Sequence, residues 1–340
     1  MKAIRFHTHG GPDVLRFEAA PDPVLPPGWV LVRVRACALN HLDLFQRRGL
    51  DRVTIPMPHI SGADVAGEVV GGDLSAAPAG TRVMLQPGLS CGRCAACLAG
   101  ADNRCPHYDV FGYQSPGGYA ELVAAPAANL IPIPDHIDFV TAAAFPLTFV
   151  TAWHMLVTRA ALCEGDTVLV LAAGSGVGQA AVQIAKYFRA QVIATAGGEV
   201  KRDRAAALGA DHVLDHYRDD VVSDVRRITK TRGVDVVVEH VGAATWDRSV
   251  RCLARGGRLV TCGATTGHES RLDLRHLFAR QLSLIGSYMG TKSELLRAAQ
   301  LLFSGAFAPV VDRTFPLADA AEAQRHLEAS GQFGKVVLVC

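Results

Sequence analysis

The pattern of apolar positions changes character near residue 148. Before it, short apolar runs such as 30–34 and 66–70 are punctuated by glycine and proline, with few stretches at helical spacing, which predicts an all-β half. After it the rhythm becomes strand, helix, strand, with apolar runs at 167–172, 191–195, 212–214, 234–238, 258–262 and 282–286. Between the first two, Val177, Ala180, Ala181, Ile184, Ala185 and Phe188 recur at helical spacing, an apolar stripe that must pack on a sheet. Six such strands predict an α/β doubly wound parallel sheet. Helical patterns over 292–304 and 318–330, separated by a proline-marked segment, and a last strand over 335–339 form a tail expected to return to the first half. The predicted domains are therefore 1–147, 148–288 and the return segment 289–340. With no repeat or low-complexity linker, they should pack closely, with a cleft between them.

Composition narrows what such a chain can do. With 340 residues, 49% of them apolar, it is long enough for two hydrophobic cores. Lysine plus arginine (34) against aspartate plus glutamate (32) leaves +2, too balanced to supply the field that binds nucleic acid, so a small neutral or anionic substrate fits better. The first residues read as a strand and lack the apolar core and cleavage site of a signal peptide. The most apolar stretch, 139–156, is interrupted by Pro146, His154 and three threonines, which predicts a buried segment in place of a membrane span. The expectation is a cytoplasmic protein without a nucleic-acid or membrane partner.

Nine cysteines are present, and four crowd together as Cys91-x2-Cys94-x2-Cys97-x7-Cys105 on a glycine-rich loop; the other five are scattered. A loop can aim four sulfurs at a tetrahedral ion without breaking regular structure, and four thiolates leave no coordination position for water. The spacing therefore predicts one structural Zn2+ in a reducing compartment, against two disulfides or idle thiols.

The apolar strand 167–172 runs directly into Ala173-Gly174-Ser175-Gly176-Val177-Gly178 and then into the amphipathic helix, the strand, glycine turn and helix context of a dinucleotide fingerprint. Gly174, Ser175, Gly176, Val177 and Gly178 are the predicted cofactor contacts. The small side chains let backbone approach a pyrophosphate, and the helix start directs N–H groups at it. The second strand ends in Ala194-Thr195-Ala196-Gly197-Gly198-Glu199-Val200-Lys201-Arg202, without the acid that usually binds a ribose 2'-hydroxyl. Small residues followed by Lys201 and Arg202 favour NADP(H), while Glu199 leaves NAD(H) open.

Taken together, these features resemble the medium-chain dehydrogenase/reductase superfamily over essentially the whole chain. The landmarks are Gly62-Ala63-Asp64-Val65-Ala66-Gly67, the cysteine lobe, Gly118-Tyr119-Ala120-Glu121, Thr151-Ala152-Trp153, the glycine turn and Gly334-Lys335-Val336-Val337. The resemblance implies an all-β GroES-like catalytic domain beside the α/β Rossmann domain, and a nicotinamide-dependent oxidoreductase. In zinc alcohol dehydrogenases of this superfamily, the positions matching Asn40, Ala63-Asp64 and a residue near Leu147 hold a catalytic metal. None of the usual ligands stands there, so tight zinc binding is not expected at that spot.

The segment Asn40-His41-Leu42-Asp43 instead resembles the Asn-x-x-Asp signature of the quinone oxidoreductase and enoyl reductase branch. That resemblance implies Asn40, Asp43 and Thr151 near the reacting ring in the cleft. It also implies His41 toward the coenzyme phosphates and Lys335 as a further cofactor contact. The favoured expectation is NADP(H)-dependent hydride transfer to a quinone, enone or related carbonyl substrate without catalytic zinc. Two alternatives stay open: a zinc-dependent alcohol dehydrogenase with atypical ligands drawn from His41, His59 and Asp64, and a non-catalytic cofactor-binding protein. The apolar strand 282–286 at the expected sheet edge predicts a homodimer or a tetramer of dimers.

Overall fold

The computed structural model describes residues 1–50 and 53–340. The chain divides into two compact units, Met1–Leu147 with Thr291–Cys340, and Thr148–Gly290.

The second unit is the doubly wound sheet. Its strands are β1 (Thr167–Val170), β2 (Gln191–Ala196), β3 (His212–Asp215), β4 (Val234–Glu239), β5 (Leu253–Thr261) and β6 (Ser283–Gly286). All neighbours are parallel, in the order β3-β2-β1-β4-β5-β6. The order reverses between β1 and β4, so a crevice opens beyond their carboxyl ends. Leu169, Ile193, Val237 and Leu259 are fully buried in one core cluster, which is why the strands read as unbroken apolar runs. β5 begins five residues before the apolar run at 258–262. A register shift between Val234 and Val236, with Gly256 at φ 71°, lets Arg255-Gly256-Gly257 pass inside the strand, a polar interruption that hides its start.

The first unit is built on one large sheet in the order Val311–Pro316, Lys335–Val339, Trp29–Ala38, Asp64–Gly72, Arg82–Leu85, Leu130–Pro132, with Leu122–Pro126 also paired to Trp29–Ala38. The return of the tail is concrete: Val337 pairs Ala38 and Leu338 pairs Cys37 in an antiparallel ladder. Val32, Val65, Val83 and Leu338 anchor its core. The proline-marked segment forms the strand Val311–Pro316, parallel to Lys335–Val339. Asp312, Arg313 and Thr314 disguise it, as polar residues do on edge strands.

The apolar stretch 139–156 becomes the helices Phe139–Ala143 and Pro146–Trp153 and a π-helical segment, His154–Arg159. Among the described residues no helix is long and apolar enough to cross a membrane.

Candidate functional site

At the glycine turn, Ala172 takes φ 45°, and Ser175 caps the helix Gly176–Tyr187 by accepting a 2.9 Å hydrogen bond from Gly178 N–H on its Oγ. A Cβ on Gly178 would lie 2.3 Å from the Ala172 carbonyl oxygen, so only glycine permits this close approach of helix to strand. Gly174 leads into the turn, and Gly176 and Val177 present the first N–H groups of the helix, which have no carbonyl one turn earlier to pair with. The sequence reading missed His240, which follows β4 and is buried. Its Nε2 sits 2.9 Å from the Leu171 carbonyl and 3.5 Å from Ser175 Oγ. Burial holds its pKa below the ordinary histidine value. Its place after the strand at the reversal of the sheet is the one signal that points to it.

Beyond β2, Gly197 lies under the Tyr217 ring, where a Cβ would come within 2.3 Å. Lys201 and Arg202 sit in the next helix, Glu199–Ala207, and Arg202 Nε is 3.9 Å from Asp215. Arg248, in the helix Trp246–Cys252, has a buried Nε with no hydrogen-bond partner among the described residues. Burial, then Arg248 and, more weakly, Lys201 lower the pKa of His216 against the opposing pull of Asp215. Several cationic groups thus converge at the end of β2, and Arg248 joins them from 46 positions beyond Arg202, out of reach of any local motif.

The cysteine lobe brings its four sulfurs within 4.8 Å of one another. Cys94 precedes the short helix Ala95–Leu98, which returns Cys97 Sγ to 3.5 Å from Cys94 Sγ, and the turn Asp102–Arg104 delivers Cys105. Backbone N–H groups of Cys91 and His107 each lie 3.4 Å from Cys105 Sγ. Hydrogen bonds from the backbone of Arg93 and Cys94 bring the Cys91 thiol down to about 6, in the thiolate range at neutral pH. None of the nine cysteines is joined in a disulfide. The donor set, four soft sulfurs at tetrahedral spacing, fits zinc and leaves no open coordination position. Asp102 fastens the lobe to the returning tail by accepting from Lys292 N–H, at 3.1 and 3.3 Å, at the start of the helix Lys292–Phe303.

A different cluster forms around Asn40. Asn40 precedes the helix His41–Arg48, and its N–H donates to Asp43 Oδ2 at 2.7 Å. Asp43 also accepts from the Tyr119 hydroxyl at 2.9 Å. Tyr119 can reach it because Gly62, at φ 107°, leaves space a Cβ would deny: the ring lies 2.5 Å from that position. Desolvation raises the Asp43 carboxyl to about 6, against the Asn40 and Tyr119 hydrogen bonds and the Lys335 charge, which pull it down.

Asp64, fully buried, accepts from Leu147 N–H on Oδ1 at 2.8 Å, and on Oδ2 from Asn40 Nδ2 and Lys335 Nζ, both at 2.9 Å. Lys335 Nζ also donates to the Leu39 carbonyl and to Asn40 Oδ1, both at 2.7 Å. All three hydrogens of the ammonium are therefore used within the protein, which leaves none for a cofactor phosphate. Of the positions matched to a catalytic metal centre by resemblance, Asn40 and Leu147 are both hydrogen-bonded to the third, Asp64.

Thr151, in Pro146–Trp153, has a buried Oγ1 without a hydrogen-bond partner among the described residues. His41 is the first residue of His41–Arg48, its ring 6.4 Å from that of Phe45. His59 is buried against Phe6, with Nε2 2.9 Å from the Gly112 carbonyl. Among the described residues, His41, His59 and Asp64 do not assemble into a metal-binding group; the four cysteines do.

Known proteins carry the same construction. The alcohol dehydrogenase GroES-like domain matches residues 26–135, and the zinc-binding dehydrogenase domain matches 176–304. The chain is 30% identical to a quinone oxidoreductase of Rattus norvegicus over 100% of its own length and 98% of that protein. It is 31% identical to an NAD-dependent alcohol dehydrogenase of Sulfolobus acidocaldarius over 99% of each. A solved structure of an NAD-dependent alcohol dehydrogenase superposes with a TM-score of 0.95 at 46% identity, covering 100% of both chains. Both domain matches, in this order along the chain, and likeness along the full length leave one assignment: the chain belongs to the medium-chain dehydrogenase/reductase superfamily of oxidoreductases.

Proposed function

We propose that the chain transfers hydride from NADPH to an electron-poor acceptor, a quinone, an enone or a related small carbonyl compound, without a catalytic metal. The observation that carries this reading is Asp64, whose buried carboxylate already accepts from Leu147, Asn40 and the Lys335 ammonium. A carboxylate already neutralised by an ammonium is a poor metal ligand. Acceptors with conjugated carbonyls suit such a site, because charge building on their oxygen is delocalised and hydrogen-bond donors suffice to meet it.

When bound, the nicotinamide supplies the hydride. The residues of this chain supply binding and orientation. Gly174, Ser175, Gly176, Val177 and Gly178 cradle the pyrophosphate, and His41 adds a phosphate contact. The orphaned hydroxyl of Thr151 supports a role toward the nicotinamide end, since a buried polar group without a partner is costly unless a ligand completes it. Asn40 and Asp43 orient the site; both ends of the Asn40 amide are engaged with Asp64 and Lys335. NADP(H) is preferred over NAD(H) because Lys201, Arg202 and Arg248, whose buried Nε lacks a hydrogen-bond partner among the described residues, favour a 2'-phosphate. The cysteine lobe holds one structural Zn2+, consistent with a reducing, cytoplasmic setting. β6 lies at the sheet edge near exposed Leu274, Phe278 and Tyr288, which supports a homodimer or a tetramer of dimers.

The test combines metal content with a substrate panel. Purified protein should carry one zinc per chain and oxidise NADPH with quinones or enones; Thr151→Val should raise KM for NADPH by about fivefold without lowering Tm. Two zinc ions together with alcohol-dependent NAD+ reduction would overturn the reading. That outcome is the second reading, favoured by the 46% identity to a solved NAD-dependent alcohol dehydrogenase.

A further inference from the structure

The acceptors around Lys335 form an oxygen cradle: two carbonyl-type oxygens, from Leu39 and the Asn40 side chain, and one carboxylate oxygen from Asp64, all 2.7 to 2.9 Å from Nζ. Such a set of uncharged and anionic oxygens is what hard cations select. Lys335 is 2% exposed and Asp64 is completely buried, so solvent shares in neither charge. The orientation of the Asn40 amide follows from chemistry: an ammonium can only donate, so it takes Oδ1, and a carboxylate can only accept, so it takes Nδ2. Asp64 Oδ2 is thus shared by ammonium and amide, and the three side chains close a ring.

We propose that Lys335 is the resident cation of this cradle, and that deleting its side chain exposes a binding site for a small organic ammonium ion. Tethered to the strand Lys335–Val339, the ammonium spans to the residue before His41–Arg48 and to the first residue of Asp64–Gly72. One charge therefore holds three elements of the unit in register. Because the cation belongs to the chain, the wild-type cradle is expected to ignore cations in solution. The inference concerns charge and binding alone and does not depend on the hydride acceptor.

The experiment follows Tm of the full, zinc-loaded chain. Lys335→Ala removes three carbons and the ammonium, which propylammonium replaces atom for atom, while 1-propanol matches its size without its charge. Lys335→Ala should lose about 5 °C or more of Tm and recover at least half of it with saturable dependence on propylammonium. The wild type should not respond, and 1-propanol should not rescue. Lys335→Met, whose side chain fills the space, should be destabilised but insensitive to propylammonium.

Equal rescue by 1-propanol, no rescue by propylammonium, or a wild-type Tm in Lys335→Met would each overturn the proposal. Should Lys335→Ala not fold, the double variant Asp64→Asn with Lys335→Met decides. It should regain most of what Lys335→Met alone loses, because both buried charges leave together; additive losses would overturn the proposal. Failure of the hydride reading would show separately, as absent NADPH oxidation with an intact Tm response.

Discussion

The cysteine lobe and the Asn40 cluster are two answers to one problem, how to hold several polar groups together around a positive charge. The lobe gathers four sulfurs from within 15 residues on a partly exposed loop, with one thiol already inclined to ionise. The cluster gathers oxygens and an amide from Asn40 and Asp64 around the ammonium of Lys335, from positions up to 295 apart and all buried. Soft thiolates close together need an ion from outside the chain, whereas the buried oxygens already have an ammonium from within it. On the proposed reading, the contrast teaches that one unit can depend on a metal at its surface and on a charge of its own chain at its centre.

The largest test of this contrast is Cys97→Ser. It should abolish zinc binding and cost more than about 5 kcal/mol, since a structural zinc contributes about 10 to 16 kcal/mol in small peptides. Metal analysis with urea unfolding reads both, and an unchanged unfolding midpoint would remove the lobe from the argument. Next in size, Asp64→Ala leaves the Lys335 ammonium buried without its anion and should cost about 3 to 5 kcal/mol, with zinc content untouched.

The third test is pH. Asp43 titrates at about 6 in the fold against an ordinary 3.8, so the folded state binds the extra proton between those values. Its contribution is fully present below pH 4 and is lost as pH rises through 6, by up to about 3 kcal/mol. The difference in unfolding free energy between wild type and Asp43→Asn should therefore fall with that slope; a flat difference from pH 4 to 7 would contradict it. Smallest is Tyr119→Phe, expected to cost about 1 kcal/mol. Because the lost hydrogen bond was holding the Asp43 pKa down, the pH midpoint should move above 6.

These two regions also differ in how far sequence makes them visible. The cysteine lobe is legible because its four thiols follow one another along a short loop. The glycine turn and the six parallel strands are legible for the same local reason: strands buried on both faces carry unbroken apolar runs. The strand Val311–Pro316 escapes because Asp312 and Arg313 interrupt the apolar alternation. The Asn40 cluster shows least. Lys335 stands within an apolar strand, where buried lysines are rare, and no local pattern announces a partner 271 positions away in Asp64. Resemblance marks Asn40, Asp43 and Lys335 as positions of interest, but only the fold reveals that they hold one another.

The span between those partners also sets an order of events during synthesis. Residues 148–290, a complete sheet with its own core, are translated before Lys335 emerges, and until then Asp64 lacks the ammonium that balances it. A ribosome-bound chain can thus finish its middle while its beginning still lacks a final strand, and the nascent first unit is the portion most in need of a chaperone.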